Sequence, residues 1–118
     1  MAVDPGLLAW VEEALAPVGG VTKRAMMGGT TLYLDGTIFA IVANDLLWFK
    51  ADATSDAAWD DAGCARFTYE MGEGRMGTMN YRRAPDDVYD DADAMREWAL
   101  LGVAAGARAP VKRKKPPK

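Results

Sequence analysis

The stretch "RAMMGGTTLYLDGTIFAIV", residues 24–42, decides how this chain folds. Two runs of β-branched, aromatic and aliphatic residues flank Asp35-Gly36, the dipeptide that best supplies the two positive φ values of a type I′ hairpin turn. "TTLYL" and "TIFAIV" are therefore read as antiparallel neighbours. A phosphate-cradling loop at Gly28-Gly29 would need a lysine and a hydroxyl residue directly after the glycines, leading into a helix. Here the glycines lead into a strand. They are read as structural, a bend or bulge where the backbone needs positive φ, as Gly36 is in the turn and Gly63 at a helix end.

Working outward, "VTKRAMM" supplies a strand before the glycines, and "LLWFK" a fourth after the tight turn "ANDL". Four short strands with turn signals between them imply an antiparallel meander. Ahead of it, Asp4-Pro5 marks a helix start, and Leu7, Leu8, Val11, Ala14 and Leu15 recur at helical spacing until "PVGG" stops the run. Beyond it, "TSDAAWDDAG" reads as a short helix capped by Thr54 or Ser55 and ended by Gly63. "RFTYEM" and "GTMNYRR" form two more strands around "GEGR". "DDADAMREWALLGVAAGARA" is a last helix, capped by Asp90 or Asp91, with Met95, Trp98, Ala99, Gly102 and Ala105 as its inner stripe. The expected order is α-β-β-β-β-α-β-β-α, an α+β fold. Trp10, Trp48, Trp59 and Trp98 all fall within these elements and are read as core.

The chain has 118 residues, half of them apolar, which suits one domain with one core. No apolar run approaches the roughly 20 residues of a bilayer span, and no secretion signal opens the chain, so a cytoplasmic, bacterial-type protein without membrane contact is expected. A single cysteine, Cys64, fits a reducing compartment. The net charge of −3 hides an asymmetry. Lys112, Arg113, Lys114, Lys115 and Lys118 crowd the C-terminus, leaving nine basic against 17 acidic residues over 1–111, a formal charge of −8 there. Residues 1–109 are read as the domain and 110–118, with three prolines, as a disordered basic tail. An acidic body repels phosphate backbones while such a tail attracts them, so the tail is the candidate for weak, sequence-independent nucleic-acid binding.

Chemistry-bearing constellations are scarce. The chain contains no histidine, the commonest general base and metal ligand. Cys64 has no such base beside it and is read as inert. The acids Asp86, Asp87, Asp90, Asp91 and Asp93 lack the order of a calcium loop and read as helix-capping and solvated groups. Catalytic, cofactor and metal residues are therefore expected to be none, and no enzyme activity is expected. Lys23, Arg24, Lys50, Arg82 and Arg83 stand at strand ends and form the candidate set for an anionic ligand or a partner. Only "FTYEM" and "MNYRR" approach the aromatic and basic interleaving of a stacking platform, and the acidic body around them argues against it.

The run "KRAMMGGTTLYLDGTIFAIVANDLLWFKAD" resembles the N-terminal domain of the TfoX/Sxy competence regulators. The resemblance rests on Arg24, Met26, Gly28, Gly29, Leu32, Tyr33, Asp35, Gly36, Phe39, Ala40, Lys50, Ala51 and Asp52, and extends over about residues 7–107 through "GCARFTYEM", "MNYRRAP" and "DDADAMREWA". Met27 and Thr30-Thr31 depart from the family pattern, which usually has phenylalanine before the glycines and an aromatic and a glycine after them. The resemblance implies a two-layer α+β domain, an antiparallel sheet of about six strands with helices mainly on one face, similar to secretion-chaperone folds. Full-length regulators add a second helical domain, and this chain ends before one could begin, so a stand-alone module is expected. It also marks Arg24 as the family's arginine. The function expected is a non-enzymatic interaction or regulatory module, with an anionic-ligand sensor as the alternative. Because "TLYL", "FAIV" and "LLWF" are apolar at nearly every position, both sheet faces ask for cover, and a homodimer through the helix-free face or an edge strand is expected.

Overall fold

The computed structural model describes residues 5–26, 29–43 and 45–108. The expected caps and bends at Asp4, Met27, Gly28 and Asn44 lie outside them, as does the basic tail with Lys112, Arg113, Lys114, Lys115 and Lys118. The elements follow the expected order: α1 (Pro5–Leu15), β1 (Val21–Met26), β2 (Gly29–Leu34), β3 (Thr37–Ala43), β4 (Leu46–Lys50), α2 (Asp56–Asp61), β5 (Arg66–Gly72), β6 (Arg75–Arg83) and α3 (Ala92–Arg108). A 3₁₀ turn at Asp86–Tyr89 is the one element added. The six strands form one antiparallel sheet in the order β1-β2-β3-β4-β6-β5, so the meander is completed by the β5–β6 hairpin with β5 outermost.

Local chemistry accounts for the turns. Asp35 and Gly36 take φ of 49° and 88°, as a type I′ turn requires. Gly63 closes α2 at φ 74°. At Gly29 the reason differs from the expected one. It sits within β2 without a left-handed φ, and a Cβ there would run into the carbonyl oxygen of Val42 on β3. Small size, not conformational freedom, is what the position uses. Asp91 caps α3, its Oδ1 accepting from the amides of Asp93 at 2.9 Å and Ala94 at 3.2 Å. Ser55 precedes α2 without a side-chain cap. Instead its amide donates to Asp52 Oδ1 at 3.0 Å, and its hydroxyl accepts from the amide of Asp52 and the indole N–H of Trp59.

All helices lie on one side of the sheet. There α3 packs on β3 and β4, and α1 packs on α3 and β1. Leu32, Leu34, Val42, Leu47 and Phe49 face them alongside Val11, Leu15, Trp59, Met95 and Ala99. A register shift opposite Leu32/Tyr33 leaves Phe39 as an extra residue on β3, so both Phe39 and Ala40 enter this core. Aromatic rings run through it from Phe39 to Phe49 (6.5 Å between centroids), to Trp59 (5.7 Å) and to Trp98 (4.7 Å). The helix-free face carries a smaller cluster of Ile41, Ala43, Trp48 and Tyr81, with Ile38, Leu46 and Phe67 against it.

The small stripe of α3 permits the close docking. A Cβ on Gly102 would lie 2.6 Å from the carbonyl oxygen of Phe39, and one on Gly106 would meet that of Ile38. Helix propensity favours Gly102→Ala by about 1 kcal/mol, whereas overpacking against backbone costs about 1–3 kcal/mol. Overpacking should win. Urea denaturation is expected to show Gly102→Ala less stable than the parent.

The end of α3 is tied to the loop before α2 by a bidentate pair, Arg108 Nε and Nη2 donating to Asp52 at 2.8 and 3.0 Å. Those bonds, with smaller help from Ser55 and against a desolvation cost, lower the Asp52 pKa from 3.8 to about 2. A carboxylate held below its unfolded pKa adds stability that is present above that value and is lost as pH falls toward the folded one. Stability of the parent relative to Asp52→Asn should therefore decline between pH 3.8 and about 2 and be constant well above that window. A difference that does not change over this range would remove the pair from the account.

Candidate functional site

Strand alternation separates the five cations at the strand ends. Lys23 lies opposite Leu32 on the helix side, its Nζ 3.1 Å from Glu12 Oε2 of α1. Arg24, exposed, lies opposite Thr31, which pairs with Ile41, and so shares the helix-free face. Lys50 and Arg83 share that face too, opposite Tyr81 and Trp48 respectively. Arg82 points to the other side and is 4% exposed. The sheet thus brings Lys50 and Arg83 to neighbouring strands, leaves Arg24 three strands away, and turns Lys23 and Arg82 to the opposite face.

Arg82 has a structural setting that its sequence neighbourhood does not reveal. Its Nη1 donates to Asp60 Oδ1 and to the carbonyl oxygen of Cys64, both at 2.8 Å, and its Nη2 to Asp56 Oδ1 at 3.2 Å. Asp56 also accepts from Arg66 at 3.4 Å. The guanidinium therefore holds α2 and the following loop onto the strand. Its Nε is buried without a partner.

Lys50 carries its ammonium 4.9 Å from the centroid of the Tyr81 ring. Burial lowers its pKa, against the pull of nearby Asp52. Burial, reinforced by Tyr33, pushes the Tyr81 hydroxyl up to about 12, so that it stays protonated throughout the physiological range. The Cys64 thiol is likewise pushed up by burial, with Arg82 opposing, and is a poor nucleophile at neutral pH. It sits in the wall of a cleft of about 500 Å³ that also involves Arg83, Asp86, Asp87 and Trp98. A smaller cleft of about 270 Å³ lies between Trp10, Asp45 and Tyr89. Among the described residues no group of three acidic, cysteine or histidine side chains is placed to hold a metal ion, and no helix is long and apolar enough to cross a membrane.

The feature that departs most from a sealed domain is the β5–β6 hairpin. Among the described residues the exposed large hydrophobics are Tyr69 (39%), Met76 (62%), Met79 (39%) and Leu100 (49%), three of which lie on this hairpin. Phe67 and Tyr69 share the helix-free face and stack with centroids 6.5 Å apart, while Trp48 meets Phe67 edge-on at 4.8 Å. Met79 is opposite Phe67 and Gly77 opposite Tyr69. An aromatic row thus runs outward from the buried Trp48–Tyr81 cluster to the free edge of the sheet. Of the tryptophans read as core, Trp48 is the one that begins this row. The signal for it was the alternation in "RFTYEM", which puts Phe67 and Tyr69 on one face with no helix sequence left to cover them.

A model of the TfoX N-terminal domain matches residues 13–106. The chain belongs to the TfoX N-terminal domain family. It is also 30% identical over 64 residues to the DNA transformation protein TfoX1 of Aliivibrio fischeri (strain ATCC 700601 / ES114), a match covering 54% of this chain and 30% of that protein. The chain thus spans about a third of the length of that curated relative. The family match takes in the end of α1, all six strands, α2 and most of α3, so the Arg82 tether and the open hairpin both lie within the family region.

The two carboxylates on Arg82 should not be equivalent. Asp60 is 68% exposed and Asp56 27%, so screening by water weakens the first far more. Asp60→Ala should cost less than about 1 kcal/mol and Asp56→Ala about 1–3 kcal/mol, since the latter strips two guanidinium groups of a shared acceptor. Urea melts of the two variants check the order. An equal cost, or the reverse, would contradict the tether.

Proposed function

We propose that this domain is a non-enzymatic interaction and regulatory module of the cytoplasm that works as a homodimer. The observation that carries the reading is the pair of exposed apolar side chains on the helix-free face of one edge hairpin, Tyr69 and Met79, beside an aromatic row that continues into the core, with the exposed Met76 on the other face of the same hairpin opposite Glu70. Exposed apolar groups clustered at one place favour a partner surface over scattered surface residues. The helix-free face is less bare than its sequence suggests, because Ile41 (2%), Tyr81 (5%) and Trp48 (9%) are already buried by their own neighbours. The need for cover therefore falls on the β5 side. The pushed-up pKa values of Cys64 and Tyr81 support a binding role over an acid–base or nucleophilic one, since neither group is poised for proton or acyl transfer near neutrality. Kinship with a DNA transformation protein supports a regulatory setting alongside competence proteins.

Light scattering tests the assembly. At high-micromolar concentration the mass should approach twice the 12.7 kDa of the chain, and Tyr69→Asp/Met79→Asp should return it to the monomer with an unchanged circular dichroism spectrum. A parent that stays monomeric under these conditions would overturn the reading.

The charge of the tail favours a second, weaker interaction, with nucleic acid. Up to five phosphate contacts by Lys112, Arg113, Lys114, Lys115 and Lys118 would give a log–log salt slope of roughly −4.5 on duplex DNA. Truncation after Ala109 should abolish binding to two unrelated duplexes alike at low salt. Binding that survives truncation, or that strongly prefers one duplex, would place DNA recognition in the folded body.

A further inference from the structure

We infer that the second copy docks along β5, strand to strand and antiparallel, on a two-fold axis at Thr68. The inference deepens the homodimer reading above and rests on it. β5 is the outer strand beyond β6, so among the described residues one row of its backbone donors and acceptors has no strand to pair with. Such an edge templates another strand where the side chains allow it.

The sequence of β5 is complementary to itself when reversed. Antiparallel pairing centred on Thr68 sets Phe67 opposite Tyr69 of the second copy and places Arg66, whose guanidinium already donates to Asp56 and Asn80 of its own chain, opposite Glu70 in register. By symmetry each match occurs twice. Cross-strand pairs of opposite charge and aromatic pairs are the combinations that stabilise an antiparallel ladder, while like charges directly opposite destabilise it. The aromatic matches fall on the helix-free face, where Phe67 already meets Trp48, so pairing extends the aromatic row across the junction and covers Tyr69 and Met79.

The other edge has the opposite character. β1 carries Lys23 and Arg24 in its middle, so any self-pairing centred there sets cation against cation. One edge is thus guarded and the other self-matching, which selects a closed dimer with a sheet continuous over both copies instead of an open fibre.

Two experiments test the placement on the intact chain. In an antiparallel ladder, residues directly opposite have Cα atoms about 4.5–5.5 Å apart, within the range a disulfide spans. Thr68→Cys should therefore cross-link to its twin under mild oxidation. The parent, whose Cys64 is buried, and Thr22→Cys on β1 should not. In parallel, Glu70→Arg sets like charges together at two places and should weaken dimerisation by about tenfold. Circular dichroism reports that each variant is folded. A parent that is monomeric throughout overturns both the dimer and its placement. A dimer in which Thr68→Cys does not cross-link, or which Glu70→Arg leaves unchanged, overturns the placement alone and leaves the homodimer on another surface.

Discussion

The sheet is held from one side, and the contact that fixes this is backbone against backbone. Gly102 and Gly106 bring α3 onto β3 so closely that a Cβ at either would meet the carbonyl oxygen of Phe39 or Ile38. At that separation β3 and β4 sit directly under the helix, and the ring series from Phe39 to Trp98 fills the space beside it. With α1 against α3 and β1, and α2 held by Arg82, the helices are used up on that side. The opposite face closes with its own side chains, Trp48, Ile41 and Tyr81 at the centre, while among the described residues Tyr69 and Met79 stay exposed at the β5 rim.

Much of the architecture was legible because local chemistry and tertiary packing agree. Asp35-Gly36 needed two positive φ values and has them. Of the inner stripe of α3 read from spacing, Met95, Ala99, Gly102 and Ala105 are buried and Trp98 is half-buried. Asp91 stands where a cap was needed. The family match agrees with the resemblance carried by residues 24–52.

What stayed hidden was set by partners distant in sequence. The bulge at Phe39 leaves no mark, since Phe39 and Ala40 are both apolar and either could face the core. The acidic run at Asp86–Asp87 reads as solvated, yet the turn it opens buries Val88, whose carbonyl accepts from Trp10 at 2.7 Å, and sets the Tyr89 hydroxyl to accept from the amide of Leu47. Gly29 was legible as structural but not in its reason, because close approach depends on Val42 of the next strand. Arg82 looks like its neighbour Arg83 in sequence. Only the alternation of β6 and the position of Asp56 and Asp60 on α2 separate a buried tether from an exposed cation. Candidate sites of this kind, built from one charge on each of several strands, cannot be assembled from spacing alone.

The central claim is that the open edge at β5 is where this domain meets its second copy. Residue-resolved hydrogen exchange at two protein concentrations tests it most directly. Outward-pointing amides of β5 should exchange quickly in dilute protein and become protected when concentrated, with the centre of protection at Thr68 and no change along β1. Protection of β5 that is independent of concentration, or that appears along β1 instead, would contradict it.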